Sequence, residues 1–244
     1  MALRRLLRNT LRTTRDLLLG PPEIDVLTQL TRGDVRWSTM CEAIEYINYE
    51  KIPGDILEFG VFTGVSLALL TKAQSFDSKG MTRRIVGFDA FEGLPPSEEV
   101  HTRWQRGDCA TSNGWHPFLS SGEQVTPEVV KQLFDVCGFP APELEVGWFA
   151  DVLPRVIPTR YSQVALLHID CDLYESTVHV LMALVSVLQD GTLILFDDWF
   201  HYKGNPHKGE ARAFQEFLQA HLQWGAVQYR PYGTFGNSFI VYKK

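Results

Sequence analysis

Beyond residue 50, the hydrophobic pattern consists of short, continuous apolar runs separated by amphipathic segments. The runs lie in GDILEFGV, RRIVGFDAF, LEVGWFA, VALLHID and TLILFDD. Segments with helical spacing separate or follow these runs, for example VTPEVVKQLFDVCG before the third run and GEARAFQEFLQAHL after the fifth. Runs that are apolar throughout are typical of strands covered on both faces. Their alternation with helices predicts an α/β protein with a doubly wound, mostly parallel sheet.

The two ends of the chain follow different patterns. AVQYRPYGTFGNSFIVYKK predicts two strands joined by a glycine-rich turn, so we expect seven strands with an antiparallel C-terminal hairpin. Residues 1–50 show helical spacing, with Met40, Ile44 and Ile47 on one face after Ser38 as a predicted N-cap. We therefore expect a helical N-terminal extension over 1–50 and one domain over 51–244. Residues 91–125 fit no element, and a loop of that length predicts a lid inserted in the domain.

Composition narrows the class of protein. The chain has 244 residues and is 45% hydrophobic, which suffices for one α/β domain with a full core. A net charge of −6 argues against binding to nucleic acid, because such binding needs a basic face. The four cysteines are scattered without a CxxC pair, which indicates reduced thiols in a cytoplasmic protein. No apolar run approaches the roughly 20 residues of a membrane span.

The first twenty residues, MALRRLLRNTLRTTRDLLLG, carry five arginines and one acid. Such a segment is compatible with a transit peptide or a membrane-surface helix. We favour an amphipathic helix that packs on the body or on a second subunit, because no cleavage-like segment follows. A homo-oligomer is the resulting expectation.

The end of the first predicted strand suggests a cofactor. Open parallel sheets bind ligands at the carboxyl ends of their strands. In LEFGVFTGVS, Gly60 and Gly64 allow close approach of the backbone, and Ser66 begins the next helix. Glu58 would repel a pyrophosphate, which separates this segment from dinucleotide sites. It suits a cationic amino-acid ligand, and S-adenosylmethionine carries an ammonium and a sulfonium group and no phosphate.

The next two strands offer further cofactor contacts. Asp89 ends the second strand, where an acid can accept hydrogen bonds from ribose hydroxyls. Phe91 follows it and could wall the adenine. Asp151, after the third strand, either lies near the adenine edge or is an acid at the start of a helix. Each motif is weak alone, and their order and spacing make the stronger case.

Carboxylates follow the fourth and fifth predicted strands in HIDCDLYEST and LFDDW. We expect both strands to neighbour the first, so that Asp170, Asp197 and Asp198 meet beside the cofactor. Clustered carboxylates repel one another unless a cation joins them, and oxygen ligands suit Mg²⁺, which lowers the pKa of a bound hydroxyl. Asp170 is then the candidate general base, with His168 and His201 as alternatives. We expect Asp172 and Glu175 to start the following helix instead.

Five segments in order resemble the macrocin O-methyltransferase-like family (TylF/MycF/NovP type): GDILEFGVFTGVS, GFDAFEGLP, GWFADVLP, HIDCDLYEST and LFDDW. The resemblance implies a class I methyltransferase, Rossmann-like fold. It also implies O-methylation, dependent on S-adenosylmethionine and Mg²⁺, of a hydroxyl on a sugar or polyol-like small molecule in antibiotic biosynthesis. By the same resemblance, Asp170, Asp197 and Asp198 match the metal ligands and Asp170 the general base, and residues 1–50 help to form the lid and the oligomer.

Two positions depart from the family pattern. The family tends to have glycine where this chain has Cys171, and tyrosine where it has Trp199. Both positions lie beside the expected acceptor pocket, so they concern the identity of the acceptor more than the chemistry.

Two other classes of function remain open from the sequence. His168 and Asp170 form an H-x-D pair that a distant histidine (His201, His207 or His221) could complete as the facial triad of a non-haem Fe(II) oxygenase. That reading needs an antiparallel β-fold and leaves Glu58 and Asp89 unexplained. A methyltransferase fold that only binds ligands is the third reading, and the intact carboxylate set argues against it.

Overall fold

The computed structural model describes residues 25–77, 81–99, 104–113, 116 and 119–244. The arginine-rich segment at 1–20 thus lies outside the described residues. The strands are β1 (Asp55–Phe59), β2 (Ile85–Asp89), β3 (Glu143–Val146), β4 (Val164–Ile169), β5 (Leu193–Phe196), β6 (Trp224–Tyr232) and β7 (Gly236–Lys243). The described α-helices are α1 (Val26–Gly33), α2 (Trp37–Tyr49), α3 (Val65–Phe76), α4 (Pro127–Val136), α5 (Phe149–Arg160), α6 (Tyr174–Leu184) and α7 (Gly209–Ala220).

The strands form one sheet in the order β3-β2-β1-β4-β5-β7-β6. Strands β1 to β5 pair in parallel, and β7 runs antiparallel to both β5 and β6. The predicted doubly wound sheet with an antiparallel hairpin is therefore confirmed. One detail was wrong: β5 borders β4 and does not touch β1. The strand order reverses between β1 and β4, and such a switch point is where open α/β sheets bind ligands.

Helices cover both faces of the sheet, which explains why the strands are apolar throughout. On one face α5, α6 and α7 bury side chains such as Leu153, Leu181 and Phe214. On the other face α2, α3 and α4 bury Ile44, Leu70 and Leu133 among others.

Helix α2 buries the predicted face, since Met40, Ile44 and Ile47 are at most 1% exposed. The predicted cap was wrong, because Ser38 lies inside the helix and Arg36 holds the N-cap position. The backbone N–H of Arg36 donates instead to Asp34 Oδ1 at 2.8 Å. This tight turn between α1 and α2 brings both charged side chains to the carboxyl edge of the sheet.

The described residues of 91–125 contain neither a helix nor a named strand, and one antiparallel bridge joins Thr111 to Gln124. Carboxylates attach this segment to the helical layer. Glu99 accepts hydrogen bonds from Gly209 N–H and Arg212, and Glu175 in the first turn of α6 accepts from Ser97 Oγ and Glu98 N–H. Its function as a lid remains a prediction.

All four cysteines lie in the described part of the chain and are free thiols. Among the described helices, none combines the length and the apolar character needed to cross a bilayer. A cytoplasmic location and a homo-oligomer remain predictions.

Candidate active site

A cavity of about 1000 Å³ opens at the carboxyl ends of the strands, at the switch point between β1 and β4. Ligand pockets commonly span about 300–1,000 Å³, so this one has room for two small molecules side by side. Its walls come from the loops after β1 to β5, the β6–β7 turn, residues of 91–125 and the turn between α1 and α2. Lining residues include Arg36, Gly60, Asp89, Asp151, Asp170, Cys171, Asp197 and Phe235.

Gly60 lies where β1 meets β4 and lines the cavity. Its φ of +91° is in the left-handed region, and a Cβ atom there would stand 1.8 Å from the carbonyl oxygen of Asp170. Its N–H donates to Phe88 O at 2.9 Å. Position 60 therefore requires glycine because the ends of β1 and β4 lie so close together, whether or not a ligand also lies beside it.

Asp89 holds the loop after β1 in shape. Its Oδ2 accepts from the N–H groups of Val61 and Phe62, each at 2.8 Å, and its Oδ1 accepts from Phe91 N–H at 2.7 Å. The carboxylate also lines the cavity. Because two carboxylate oxygens offer about four acceptor positions, Asp89 retains capacity for a ligand hydroxyl.

The other predicted cofactor residues divide between wall and interior. Asp151 lines the cavity from the first turn of α5. Gly64, Ser66 and Phe91 are absent from its lining. Gly64 makes room for Val130, whose Cγ1 would be 2.6 Å from an added Cβ. Ser66 is buried within α3, and Phe91 packs into the apolar core between the lining residues Ala90 and Glu92, so its role as an adenine wall stays a prediction.

Glu58 is fully buried below the cavity and does not line it, so its predicted contact with the cationic end of the cofactor was wrong. It is in register with His168 on the neighbouring strand, and His168 Nδ1 lies 2.8 Å from Glu58 Oε1. The other ring nitrogen, Nε2, lies 3.7 Å from Asp197 Oδ1. Burial alone would lower the pKa of His168, but its contacts with Asp197 and Glu58 raise that pKa to about 10. A raised pKa favours the protonated form of His168 and makes it a poor candidate for the general base.

We expect His168→Gln to lower the free energy of unfolding by about 3 kcal/mol at pH 6, because it leaves Glu58 buried without its counter-ion. The folded-state pKa of about 10 exceeds the ordinary 6.5. The stabilisation is therefore complete below about pH 6.5 and is lost as the pH rises through about 10. Urea unfolding in EDTA at pH 6, 8 and 10 should show the difference from wild type shrinking with pH. The exposed His207→Gln serves as control, and a difference independent of pH would contradict the assignment.

The carboxylates beyond β4 and β5 form two clusters. His168, Asp170 and Asp197 make the first, and Asp172, Asp198 and His201 make the second; within each, ligand atoms lie within 4.8 Å of one another. The predicted set of Asp170, Asp197 and Asp198 is therefore shared between two adjoining clusters. The predicted role of Asp172 in starting α6 was wrong: Leu173 is the N-cap, and Asp172 is buried with a φ of +62° beside Asp198.

The two clusters and their surroundings contain more carboxylates than cationic groups. Burial raises the pKa of Asp170, Asp198 and Glu210 well above the ordinary range, and repulsion among the carboxylates adds to the effect. The same causes raise the pKa of Asp172 to about 7. Among the described residues, no hydrogen-bond donor reaches the buried Asp198 Oδ2 or Glu210 Oε1. This set of hard oxygen donors, short of positive charge, fits a divalent cation such as Mg²⁺.

Asp197 is the exception, and the reason is a residue that the sequence did not reveal. Burial would raise its pKa, but Arg36 and His168 hold it at about 2. Arg36 Nη1 lies 2.9 Å from Asp170 Oδ2 and 3.5 Å from Asp197 Oδ2. Because Arg36 is 134 residues from Asp170 and follows no strand, no local signal marked it.

Aromatic side chains border the second cluster. The ring of His201 lies 5.8 Å from Trp104 and 4.2 Å from Phe235, measured between centroids. Of the two departures from the family pattern, Cys171 lines the cavity, whereas Trp199 packs against Phe196, Phe214 and Phe239 and does not. The expectation that Trp199 borders an acceptor was wrong.

The facial-triad alternative finds no support. Each cluster of the described residues combines one histidine with two carboxylates, the reverse of that triad. His207 is exposed, and His221 Nδ1 lies 2.9 Å from Phe217 O.

A mostly parallel seven-stranded sheet, an antiparallel terminal hairpin and a cavity at the switch point define the class I methyltransferase fold. The model of the macrocin-O-methyltransferase (TylF) family matches residues 22–223, and the chain belongs to that family.

Curated and solved relatives agree with this membership. The 8-demethyl-8-(2,3-dimethoxy-alpha-L-rhamnosyl)-tetracenomycin-C 4'-O-methyltransferase of Streptomyces olivaceus is 31% identical to this chain over 170 residues. The demethyldecarbamoylnovobiocin O-methyltransferase of Streptomyces niveus is 26% identical over the same length. Each alignment covers 68% of this chain and 61% of the relative, so the chain spans less than two thirds of these relatives.

Among solved structures, the calicheamicin methyltransferase CalS11 gives a TM-score of 0.65 at 25% identity, covering 96% of this chain and 91% of that one. The O-methyltransferase NovP gives 0.62 at 21% identity, with 86% and 80% covered. The NovP likeness concerns the fold.

Proposed function

We propose that this protein is an S-adenosylmethionine- and Mg²⁺-dependent O-methyltransferase that acts on a hydroxyl of a sugar or polyol-like molecule in antibiotic biosynthesis. One observation carries the proposal: the carboxylates after β4 and β5 face the same cavity as Gly60 and Asp89. One site thus offers a nucleotide-type pocket and a metal-type donor set side by side.

The cofactor half is built from backbone and from two acids. Asp89 offers acceptor positions for ribose hydroxyls. Gly147 and Asp151 also line this cavity. Glu58 supports this half from below, as the counter-ion of His168, rather than by touching the ligand.

The acceptor half combines carboxylates with aromatic faces. Trp104 and Phe235 line the cavity and contact the His201 ring, and aromatic faces near carboxylates suit the apolar face and the hydroxyls of a sugar ring. One relative is named for a rhamnosyl-bearing tetracenomycin, which supports the same class of acceptor.

Asp170, Asp197 and Asp198 would hold the metal, with Asp172 and His201 next to them. When bound, S-adenosylmethionine would supply an electrophilic methyl group, and Mg²⁺ would lower the pKa of the acceptor hydroxyl. Asp170, which lines the cavity, would accept the hydroxyl proton at a carboxylate oxygen. His168 lies between two carboxylates, with Nδ1 2.8 Å from Glu58 Oε1 and Nε2 3.7 Å from Asp197 Oδ1, and bears on the charge of both.

An acceptor panel tests the proposal directly. Purified protein is incubated with S-adenosylmethionine carrying a labelled methyl group, Mg²⁺ and candidate glycosides or nucleotide-linked sugars, and products are read by mass spectrometry. Transfer to a hydroxyl oxygen is the expected result. Methylation of nitrogen or carbon alone, or of amino-acid side chains, would contradict the proposed class.

We expect Asp89→Asn to weaken the binding of S-adenosylmethionine by about 10- to 100-fold, because a charged hydrogen-bond acceptor is lost at the ribose position. Isothermal titration calorimetry measures this affinity without turnover. Exposed Asp135→Asn is the matched control. An affinity equal to that of wild type would remove Asp89 from the cofactor site.

A further inference from the structure

The guanidinium of Arg36 occupies the position between two predicted metal ligands. Its Nη1 lies 2.9 Å from Asp170 Oδ2 and 3.5 Å from Asp197 Oδ2. The Arg36 side chain is only 16% exposed, so this contact is screened little by solvent. Both carboxylates thus present an oxygen to the same cationic group.

A divalent cation and this guanidinium compete for the same oxygens. Mg²⁺ binds carboxylate oxygens at about 2.0–2.1 Å, closer than any N–H group approaches. A dication placed between these two oxygens would also lie a few ångströms from the arginine charge and be repelled by it. Binding at Asp170 and Asp197 therefore requires Arg36 to withdraw.

Asp34 provides the place to which Arg36 can withdraw. Arg36 Nε donates to Asp34 Oδ1 at 3.0 Å, and Nη2 donates to Asp34 Oδ2 at 2.8 Å. This two-point pair involves atoms other than Nη1, so it can persist when Nη1 leaves the cavity carboxylates. The Asp34 side chain is 4% exposed and belongs to the same turn, which fixes the pair to the N-terminal helices.

We propose that Arg36 is a tethered cation which neutralises the Asp170–Asp197 pair when no metal is bound and is displaced, on its Asp34 anchor, when the metal enters. This inference rests on the proposed metal-dependent function, and it adds that Arg36 regulates metal binding. The turn between α1 and α2 lines the same cavity, so its position is thereby coupled to the state of the metal site.

Mn²⁺, a paramagnetic substitute for Mg²⁺, tests the inference without any turnover. Electron paramagnetic resonance titration gives the Kd of free Mn²⁺ for the full-length protein. Arg36→Gln should bind Mn²⁺ about tenfold more tightly than wild type, because no cation has to leave. Arg36→Lys keeps the positive charge, so it should bind Mn²⁺ less tightly than Arg36→Gln.

Asp34→Asn should change the affinity in the opposite direction. With its anchor weakened, Arg36 has no alternative partner, and Mn²⁺ should bind more weakly than to wild type. In the Arg36→Gln background the same substitution should have little effect, because Asp34 acts through Arg36. Arg32→Gln, in the exposed last turn of α1, removes the same charge nearby and serves as control.

Thermal unfolding provides a second readout. In EDTA, Arg36→Gln should show a lower Tm than wild type because the carboxylates lose their counter-ion, and saturating Mn²⁺ should reduce the gap. If Arg36→Gln binds Mn²⁺ no better than wild type, while Asp197→Asn with Asp198→Asn abolishes binding, the tethered-cation inference is overturned and the metal proposal stands. If neither wild type nor Arg36→Gln binds Mn²⁺, the metal proposal fails and this inference fails with it.

Discussion

Asp197→Asn combined with Asp198→Asn should reduce kcat/KM for methyl transfer by about a thousandfold or more. The double substitution removes two anionic ligands from adjoining clusters while keeping the shape of both side chains. Loss of the cation forfeits several kcal/mol of stabilisation of the developing oxyanion, and each 1.4 kcal/mol is about tenfold in rate. The affinity for S-adenosylmethionine should stay within about threefold of wild type, because neither residue belongs to the cofactor wall.

The matched control removes the same two charges from the exposed face of α4, through Glu128→Gln and Asp135→Asn. Those substitutions should leave turnover unchanged. A double variant of Asp197 and Asp198 that remains active in EDTA would exclude the metal mechanism. Binding of S-adenosylmethionine by wild type without turnover on any acceptor, and without a response to Mg²⁺, would instead favour a methyltransferase fold kept only for ligand binding.

Gly60→Ala should destabilise the protein by about 4 kcal/mol or more, enough to compromise folding of a typical domain. An alanine at a φ of +91° pays a left-handed penalty of about 1–2 kcal/mol. In addition, its Cβ would stand 1.8 Å from the Asp170 carbonyl oxygen, so the ends of β1 and β4 would have to separate. Urea unfolding of the two proteins measures the difference.

Gly138→Ala separates these two causes. Gly138 has a φ of +74°, but nothing lies within 4 Å of a Cβ added there. Its substitution should cost only the backbone penalty of about 1–2 kcal/mol. Equal destabilisation by Gly60→Ala and Gly138→Ala would show that the close approach of the strand ends is not what requires Gly60.

The features that could be predicted are those that depend on local patterns. Strands covered on both faces are apolar throughout, so VALLHID and TLILFDD marked β4 and β5 without knowledge of their neighbours. The position of Asp89 on the cavity wall could be predicted because the end of the second strand of a βαβ unit is a fixed place in such folds. The convergence of Asp170 with Asp197 followed from the same logic, since the carboxyl ends of parallel strands share an edge.

The features that were missed depend on side-chain partners from distant parts of the chain. Glu58 reads as a cofactor acid until the register of β1 with β4 places His168 opposite it. Asp172 reads as a helix cap until a left-handed backbone turns its side chain toward Asp198. Arg36 lies in a turn between helices, where pattern carries little information, and only the packing of α2 against the sheet brings it to Asp170.

The proposed function is tested most directly by measuring whether methyl transfer by the wild-type protein depends on Mg²⁺. With S-adenosylmethionine and an acceptor found in the panel, turnover is measured after treatment with EDTA and again after Mg²⁺ is restored, while calorimetry follows cofactor affinity. We expect EDTA to abolish turnover, Mg²⁺ to restore it, and cofactor affinity to change little. Turnover that continues undiminished in EDTA would exclude metal-dependent methyl transfer.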